Sequence, residues 1–494
     1  MPDEASEALS SKLADEEIAA FKFQPFKHQI EAIEYGLSHE KWLLLDSMGL
    51  GKSLESMYLA EALHARGLVS KCLVICGVDS LRSNWKAEIE KFSKLPCCVL
   101  GEYKTKSGKS AYRSVKERCE QLRKPMSEFF VIVNAATVGF DEFVEAYKKS
   151  ENDFGMIILD EAHRFATKSS NRGSNLLKMD ARYKVALTGT PITNSPISAY
   201  VMLSWTGNDH ATLTNYKAQY CEFGGFNDAQ IIGYKHLDLL REEIAACSVR
   251  RTFDQVRGDM PAKTIDFESV EMPEKQAKFY DAIKNGVKEE ADKIELSSSN
   301  LLALTTRLRQ ATAAPSVLTS EDIGSCKVER AAQLAEDLLE AGEKVIIFST
   351  FVEPTLDLMA RLERFHPLLA TGAISDDEVQ RNIRDFREKD SCSLLIGTHG
   401  KLGTGYSMPE CHYSIMLDFP WTYYALSQSA DRIYRITSDQ PVYIKCLMAK
   451  GTIDERVRDV VEKKKDLQDY LVDGKEGKMS DSLKDEMMKI IKEL

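Results

Sequence analysis

The residues with the clearest chemical pattern lie in LLLDSMGLGKS (Leu43–Ser53), where a glycine-rich turn separates an apolar strand-like run from a helical stretch. Gly49 and Gly51 let backbone N–H groups of the loop Met48, Gly49, Leu50, Gly51, Lys52 and Ser53 close around phosphate oxygens, and a helix N-terminus adds partial positive charge. Lys52 would reach the β and γ phosphates of ATP, and the Ser53 hydroxyl would ligate Mg²⁺. Asp46 stands where the usual GxxxxGK[ST] pattern has its first glycine. A second run, MIILDEAH (Met156–His163), ends an apolar strand on two carboxylates. Asp160 would hold Mg²⁺ through its water shell, and Glu161 would orient and deprotonate an attacking water. On its own the pair also fits an acidic helix start; a phosphate loop upstream favours hydrolysis.

Three further segments belong with these. In ALTGTPITN (Ala186–Asn194), Thr188 and Thr190 flank a glycine after a strand, a loop able to sense the γ phosphate, although a plain turn ended by Pro191 fits as well. QSADRIYR carries Gln428, Arg432 and Arg435; the i, i+3 arginines would share one helix face and could neutralise a transferring phosphoryl group. The same spacing fits a solvated basic helix. HGKLGTGYS (His399–Ser407), with Gly403 and Gly405, is another glycine-rich loop after a strand and a candidate nucleotide contact.

Parallel α/β sheets would position such loops, because they gather at the carboxyl ends of the strands. Apolar runs at Trp42–Leu45, Cys72–Cys76, Phe129–Val133, Met156–Leu159 and Lys184–Leu187 read as buried strands between helices. Lys344–Phe348, Ser393–Ile396, His412–Leu417 and Val442–Leu447 repeat the pattern, so two similar lobes are expected. Between about 194 and 327 strands vanish, and charged helical stretches such as Pro273–Asp292 and Leu301–Ala314 suggest helical protrusions.

Composition agrees with a large folded protein. The 494 residues are 43% hydrophobic and 29% charged, which excludes a disordered chain, a fibre or a disulfide scaffold. No apolar run is long enough to span a membrane, and the acidic N-terminus is not a secretory signal. The 11 cysteines form no CxxC pair and read as reduced thiols of an intracellular protein.

PFKHQ (Pro25–Gln29), DSMGLGKS, CLVICGVDSLRSNWKAEIEKF (Cys72–Phe92), DEAH, LTGTPITN, RLRQ (Arg307–Gln310), VIIFSTF (Val345–Phe351), the Gly403–Gly405 loop and QSADRIYRI occur in one order. SVRRTFDQVRGDMPAKT (Ser248–Thr264) and GTIDERVRDVVEKKKDLQDYLVDG (Gly451–Gly474) extend the match over roughly residues 20 to 475. The chain resembles the motor of Swi/Snf-type ATP-dependent DNA translocases, within helicase superfamily two. The resemblance implies an α/β fold of two RecA-like lobes with helical protrusions, about 1–265 and 266–494, with protrusions near 195–260 and 271–325 and a brace from 451. It implies ATP between the lobes and DNA across both. Gln29 would read adenine, Lys52 and Ser53 would hold phosphate and Mg²⁺, Asp160 and Glu161 would hydrolyse, and Gln428, Arg432 and Arg435 would act from the second lobe. Three positions depart from the family pattern: Gly77 replaces a proline, Tyr434 a histidine, and Thr437–Ser438 a Gly-Gln pair.

The net charge of −11 argues against a histone-like binder, yet two windows oppose it. Glu102–Lys124 has eight basic and three acidic side chains, and Arg164–Lys184 six and one. The second follows DEAH and is rich in Ser, Asn and Gly, so Lys168, Ser170 and Arg172, with Thr190, are the DNA-contact candidates. The expected activity is ATP-driven movement along duplex DNA, with strand separation or branch migration at forks or junctions as the alternative. Intact Lys52, Asp160, Glu161 and Arg435 argue against a scaffold with a dead ATP site. With no histone-reading segment in view, a monomer on DNA in a prokaryotic or virus-infected cytoplasm is expected, the nucleus remaining open.

Overall fold

A computed structural model describes residues 11–77, 81–106, 110–193, 195–207, 212–224, 230–258, 260–293, 298–403, 406–435, 437–473 and 489–491. The chain divides into two compact units, Met1–Val256 with Gln468–Lys475, and Arg257–Leu467 with Glu476–Leu494.

The first unit carries β1 (Lys41–Leu44), β2 (Cys72–Cys76), β3 (Cys97–Val99), a small hairpin of β4 (Glu102–Lys104) and β5 (Ser110–Tyr112), β6 (Phe130–Asn134), β7 (Met156–Asp160) and β8 (Tyr183–Leu187). A second hairpin, β9 (Cys221–Gly224) with β10 (Gln230–Tyr234), precedes β11 (Ser248–Val249). Seven of these strands form one sheet in the order β11-β1-β8-β7-β2-β6-β3. Every neighbouring pair in it is parallel. The central strands CLVIC, FVIVN and YKVAL are buried at every position, as strands covered on both faces must be. The helix Lys52–Ala65 buries Met57, Leu59 and Leu63 in a core shared with Trp42, Val74, Trp85 and Ile158.

The second unit is built on β12 (Lys263–Val270), β13 (Val345–Ser349), β14 (Leu368–Ala370), β15 (Leu394–Thr398), β16 (Tyr413–Met416) and β17 (Val442–Ala449). They form a six-stranded sheet, β12-β17-β16-β13-β15-β14, again parallel throughout. Its core joins Val345, Ile347, Ile396 and Ile415 to Val328 and Ala331 of the helix Cys326–Glu340. At the ends of β13 and β16 the buried Asp418 accepts hydrogen bonds from Ser349 Oγ (2.7 Å), Thr350 N (3.0 Å) and Arg309 Nη2 (3.2 Å). Arg309 comes from RLRQ in the helix Ser298–Ala313.

Two-lobed parallel α/β architecture is as expected, and the nine expected strands are all present. The segment 194–327 is not strand-free, however: it holds β9, β10, β11 and β12. β12, KTIDFESV, alternates charged and apolar residues because it is an edge strand paired only with β17, and so lacks the apolar run of a central strand. β11 has two residues and β14 three, too short to register as a pattern. Because β12 belongs to the second sheet, the division falls at Val256/Arg257, before the expected 265/266. The helices Glu274–Ala291, Ser298–Ala313 and Ile453–Asp473 occupy the expected helical stretches. Among the described residues no helix is long and apolar enough to cross a membrane.

Candidate active site

β1 delivers the chain into the phosphate loop. Gly49 (φ 91°) and Gly51 (φ 99°) both lie in the left-handed region, where a side chain is strained. Gly51 caps the helix Lys52–Ala65, and a Cβ there would stand 2.4 Å from Gln29 Nε2. Gln29 thus packs directly on the loop: its Oε1 accepts from Phe26 N (2.9 Å) and its Nε2 donates to the Leu50 carbonyl (3.3 Å). Lys52 Nζ donates to the carbonyls of Asp46 (2.7 Å) and Ser47 (3.3 Å). Burial lowers its proton affinity, and the charges of Glu161 and Asp46 oppose that shift. Leu50 is buried and Ser53 half-buried at the start of the helix. Gly189 of LTGTP admits Met48: a Cβ on it would lie 2.9 Å from Met48 Cγ.

β7 ends at Asp160, next to β2 and β8. Its Oδ2 accepts the indole N–H of Trp85 (2.8 Å) and its Oδ1 the N–H of Glu161 (2.8 Å). Burial and the neighbouring Glu161 charge outweigh these bonds and push the carboxyl up to about 7. Glu161 adopts φ 50°, ψ 50°, a conformation non-glycine residues rarely hold. Gly77 makes room for that turn. Its N–H donates to the Asp160 carbonyl (3.0 Å), and a Cβ on it would be 2.8 Å from Glu161 Cβ. His163 Nδ1 lies 3.4 Å from Glu161 Oε2 and 3.2 Å from Thr188 Oγ1, so it links the carboxylate pair to the LTGTP loop. Burial holds its imidazole down at about 4, hence neutral at physiological pH. Thr188 Oγ1 in turn accepts from Thr190 N (3.1 Å). Thr190, expected among the DNA contacts, is only 3% exposed.

One unit therefore brings together a lysine, a serine hydroxyl and a carboxylate pair, a set able to bind a phosphate chain and activate water. The donor set also suits Mg²⁺. A hydroxyl and a carboxylate are hard oxygen ligands, two protein donors leave room for the waters Mg²⁺ keeps, and Asp160 carries negative charge that its neighbours do not fully offset.

In the second unit the helix Tyr423–Ala430 starts on a Thr422 cap and ends before either arginine. Arg432 and Arg435 do not share a helix face, as their spacing suggested, but lie in the turn that follows. The ladder tightens there, with Arg432 N and Ile433 N donating to the carbonyls three residues back, Ser429 and Ala430 (both 3.3 Å), and Arg435 N donates instead to Ser438 Oγ (2.9 Å). Arg432 is 6% exposed; it donates from Nε to the Gln428 carbonyl (2.9 Å) and from Nη1 to the Tyr406 carbonyl (2.8 Å). Arg435 is half-buried, with Nη2 at 3.4 Å from the same Tyr406 carbonyl. Gln428 itself is buried. Tyr434, at the position of the family histidine, donates its hydroxyl to the Pro261 carbonyl (3.1 Å). Gly403 closes against its own turn, since a Cβ would meet the His399 carbonyl at 2.3 Å. Gly405 lies outside the described residues.

The window after DEAH lines a groove of about 580 Å³ in the first unit, bounded by Phe140, Arg164, Thr167, Ser170, Asn171 and Arg172, with no acidic residue in its wall. Arg164 and Arg172 are exposed. Ser170 caps the helix Asn171–Leu176 through Gly173 N (3.2 Å). Lys168 leans away onto Tyr200, 3.3 Å from its hydroxyl. In the other basic window, Arg118 is tied to Thr137 Oγ1 (2.7 Å) and Arg113 lies 3.5 Å from Glu117.

Sequence reasoning missed Trp85, Gly77, Arg164 and Phe140. Nothing in SLRSNW signals a bond from Trp85 to a carboxylate 75 residues away. Arg164, directly after DEAH, was the one with a local signal.

A family model described as SNF2-related domain matches residues 28–317, more than half of the chain, and one described as helicase conserved C-terminal domain matches 327–437. An "uncharacterized ATP-dependent helicase" of Mycoplasma pneumoniae is 25% identical over 454 residues, covering 89% of this chain and 41% of that protein. "ATP-dependent DNA helicase DDM1" of Arabidopsis thaliana is 26% identical over 516 residues, covering 92% of this chain and 64% of its own length. The chain thus spans about 40% of the length of the first curated relatives it matches. The Pyrococcus furiosus Hef helicase domain shares the fold, with a TM-score of 0.51, 16% identity and coverage of 87% of this chain and 97% of that one. With the motifs in order on two parallel-sheet lobes, the chain belongs to the SNF2-related domain family.

Proposed function

We propose that the chain is a motor that couples ATP hydrolysis to movement along duplex DNA, binding the backbone and reading little sequence. The groove beside DEAH carries the DNA part of this reading. On a chain of net charge −11 it presents two exposed arginines, two hydroxyls and an amide, and no carboxylate. Such a wall suits phosphates rather than base edges. The relative named as a DNA helicase agrees with it. Arg164 and Arg172 take the phosphate contacts, with Ser170 beside them; Lys168 plays the lesser part because Tyr200 holds it.

In the ATP reaction, Lys52 and the loop Met48–Ser53 hold the phosphates, and Gln29 stands where the adenine would be read. Glu161 accepts the proton of the attacking water. Ser53 and Asp160 would hold Mg²⁺, which would neutralise phosphate charge when bound. Thr188 and His163 connect Glu161 to the LTGTP loop. Arg435 is the candidate for the positive charge that a transferring phosphoryl group needs; Arg432, engaged with two carbonyls, holds the Tyr406 segment in place, with Gln428 and Gly403 in the same loop region.

The test is ATPase rate and affinity on duplex, forked, junction and single-stranded DNA at several salt concentrations. Duplex should stimulate turnover. Replacing Arg164 and Arg172 by Ala should weaken binding to all sequences and reduce the salt slope by about 1 to 2 units. An unchanged slope removes the groove from the DNA path, and stimulation by junctions alone favours the branch-migrating alternative. Arg435→Ala should lose on the order of 10³-fold in stimulated turnover with nucleotide binding retained; near-wild-type turnover would sink its role.

A further inference from the structure

Asp46 replaces a loop glycine with a carboxylate that is 0% exposed. A buried charge at that point needs a partner, and Arg251 is that partner. Arg251 Nε lies 3.2 and 3.0 Å from the two Asp46 oxygens, and its Nη2 lies 2.5 Å from Oδ2. The backbone repeats the link in both directions: Arg251 N donates to Asp46 Oδ1 (2.8 Å), and Ser47 N donates to the Arg251 carbonyl (2.9 Å). The same guanidinium reaches Glu55 Oε1 (3.2 Å), on the first turn of the helix that Lys52 begins, and the His28 carbonyl. His28 Nε2 donates to the Leu50 carbonyl (3.0 Å), so the tie reaches the loop a second time. Glu55 is buried, and its Oε2 has no partner among the described residues.

Two buried carboxyl groups thus flank the phosphate loop, both held by Arg251. Lys52 touches neither; it donates to the carbonyls of Asp46 and Ser47. We propose that Arg251 is a positioning residue for ATP: it neutralises Asp46 and so leaves the Lys52 ammonium available for phosphate. Without Arg251 the Asp46 carboxylate would be left uncompensated near Lys52, whose charge it already feels, and a low-dielectric site would draw the ammonium inward. The inference rests on the phosphate-loop reading of Met48–Ser53, not on the DNA reading.

Titration of the full chain with a fluorescent ATP analogue tests it. Arg251→Gln should weaken binding about tenfold or more, the equivalent of one unscreened charge contact. Adding Asp46→Asn to Arg251→Gln should restore most of that loss, an outcome that mere packing would not produce. Arg251→Lys, which keeps the charge and loses the fork, should stay within about threefold of wild type. Wild-type binding by Arg251→Gln, or no recovery in the double variant, overturns the proposal. Should Arg251→Gln fail to fold by circular dichroism, Arg251→Lys decides: a tenfold loss overturns it. Lys52→Ala is the separate control, since unaltered binding there would mean that the loop itself is misassigned.

Discussion

Each lobe places an aspartate where the carboxyl ends of its sheet converge, half-buried in the first and fully buried in the second, and the two are treated in opposite ways. In the first lobe Asp160 receives two hydrogen bonds, from Trp85 and from Glu161 N, and among the described residues no cation touches it; burial and the Glu161 charge drive its carboxyl up to about 7. In the second lobe Asp418 receives Ser349 Oγ, Thr350 N and Arg309. Burial alone would raise its proton affinity too, but Arg309, with Lys327 beyond it, keeps the carboxyl below the ordinary range. The difference separates a charge held ready for a ligand from one that ties the fold together. An under-compensated carboxylate beside a phosphate loop suits a cation brought with the substrate; a compensated one has no affinity left to offer.

The sharpest way to break this comparison is to neutralise each aspartate in turn. Asp160→Asn should reduce turnover on the order of 10³-fold, while its melting temperature at pH 8 changes little, because the variant removes a poorly compensated charge. Loss of folding with ATPase rate per folded molecule preserved would reverse the assignment. Asp418→Asn should do the opposite, since it leaves Arg309 buried without its counter-charge. Chemical denaturation should show a loss of about 3 kcal/mol at neutral pH. As the native carboxyl is depressed, its contribution is present above the unfolded value of 3.8 and fades as pH falls below it, so the variant and wild type should converge in acid.

Two smaller effects sharpen the picture around Asp160. Trp85→Phe keeps the packing but removes the indole N–H, a donor to a charged group worth about 2 kcal/mol. Asp160 is raised in the native state, so stability is already lost as pH climbs from 3.8 to about 7. The variant should extend that loss above pH 7 and raise the Mg²⁺ concentration needed for half-maximal ATPase; identical Mg²⁺ curves would leave Trp85 a packing residue only. The smallest effect belongs to His163. Its native imidazole is lowered to about 4, so the unfolded chain takes up a proton first and stability falls as pH drops from 6.5 towards 4. His163→Gln should flatten that limb by at most about 1.4 kcal/mol per pH unit; equal slopes in both proteins would show that the ring is charged when folded.

How much was legible in the sequence follows from how local each signal is. The central strands are short apolar runs because both faces of a parallel sheet are covered, and the loops between them carry glycines, lysine and carboxylates at spacings that backbone geometry demands. These features fix themselves over ten residues or so, which is why Lys52, Ser53, Asp160 and Glu161 stand out as candidates and the two lobes could be anticipated. β12 escaped because an edge strand has one wet side, and the arginine segment was misread as helix because Ser438 Oγ takes the Arg435 N–H that a continuing helix would use.

What only the tertiary structure decided are the meetings between distant segments. The sequence by itself set out the ATPase motifs, their order and the basic character of the window after DEAH. It could not say that Trp85 donates to Asp160, that Gly77 must lack a Cβ to pass Glu161, that Asp46 faces Arg251, or that Thr190 is buried while Arg164 faces a groove. Each of these depends on which strand lies beside which in the order β11-β1-β8-β7-β2-β6-β3, and strand order leaves no trace in the local pattern of any one strand.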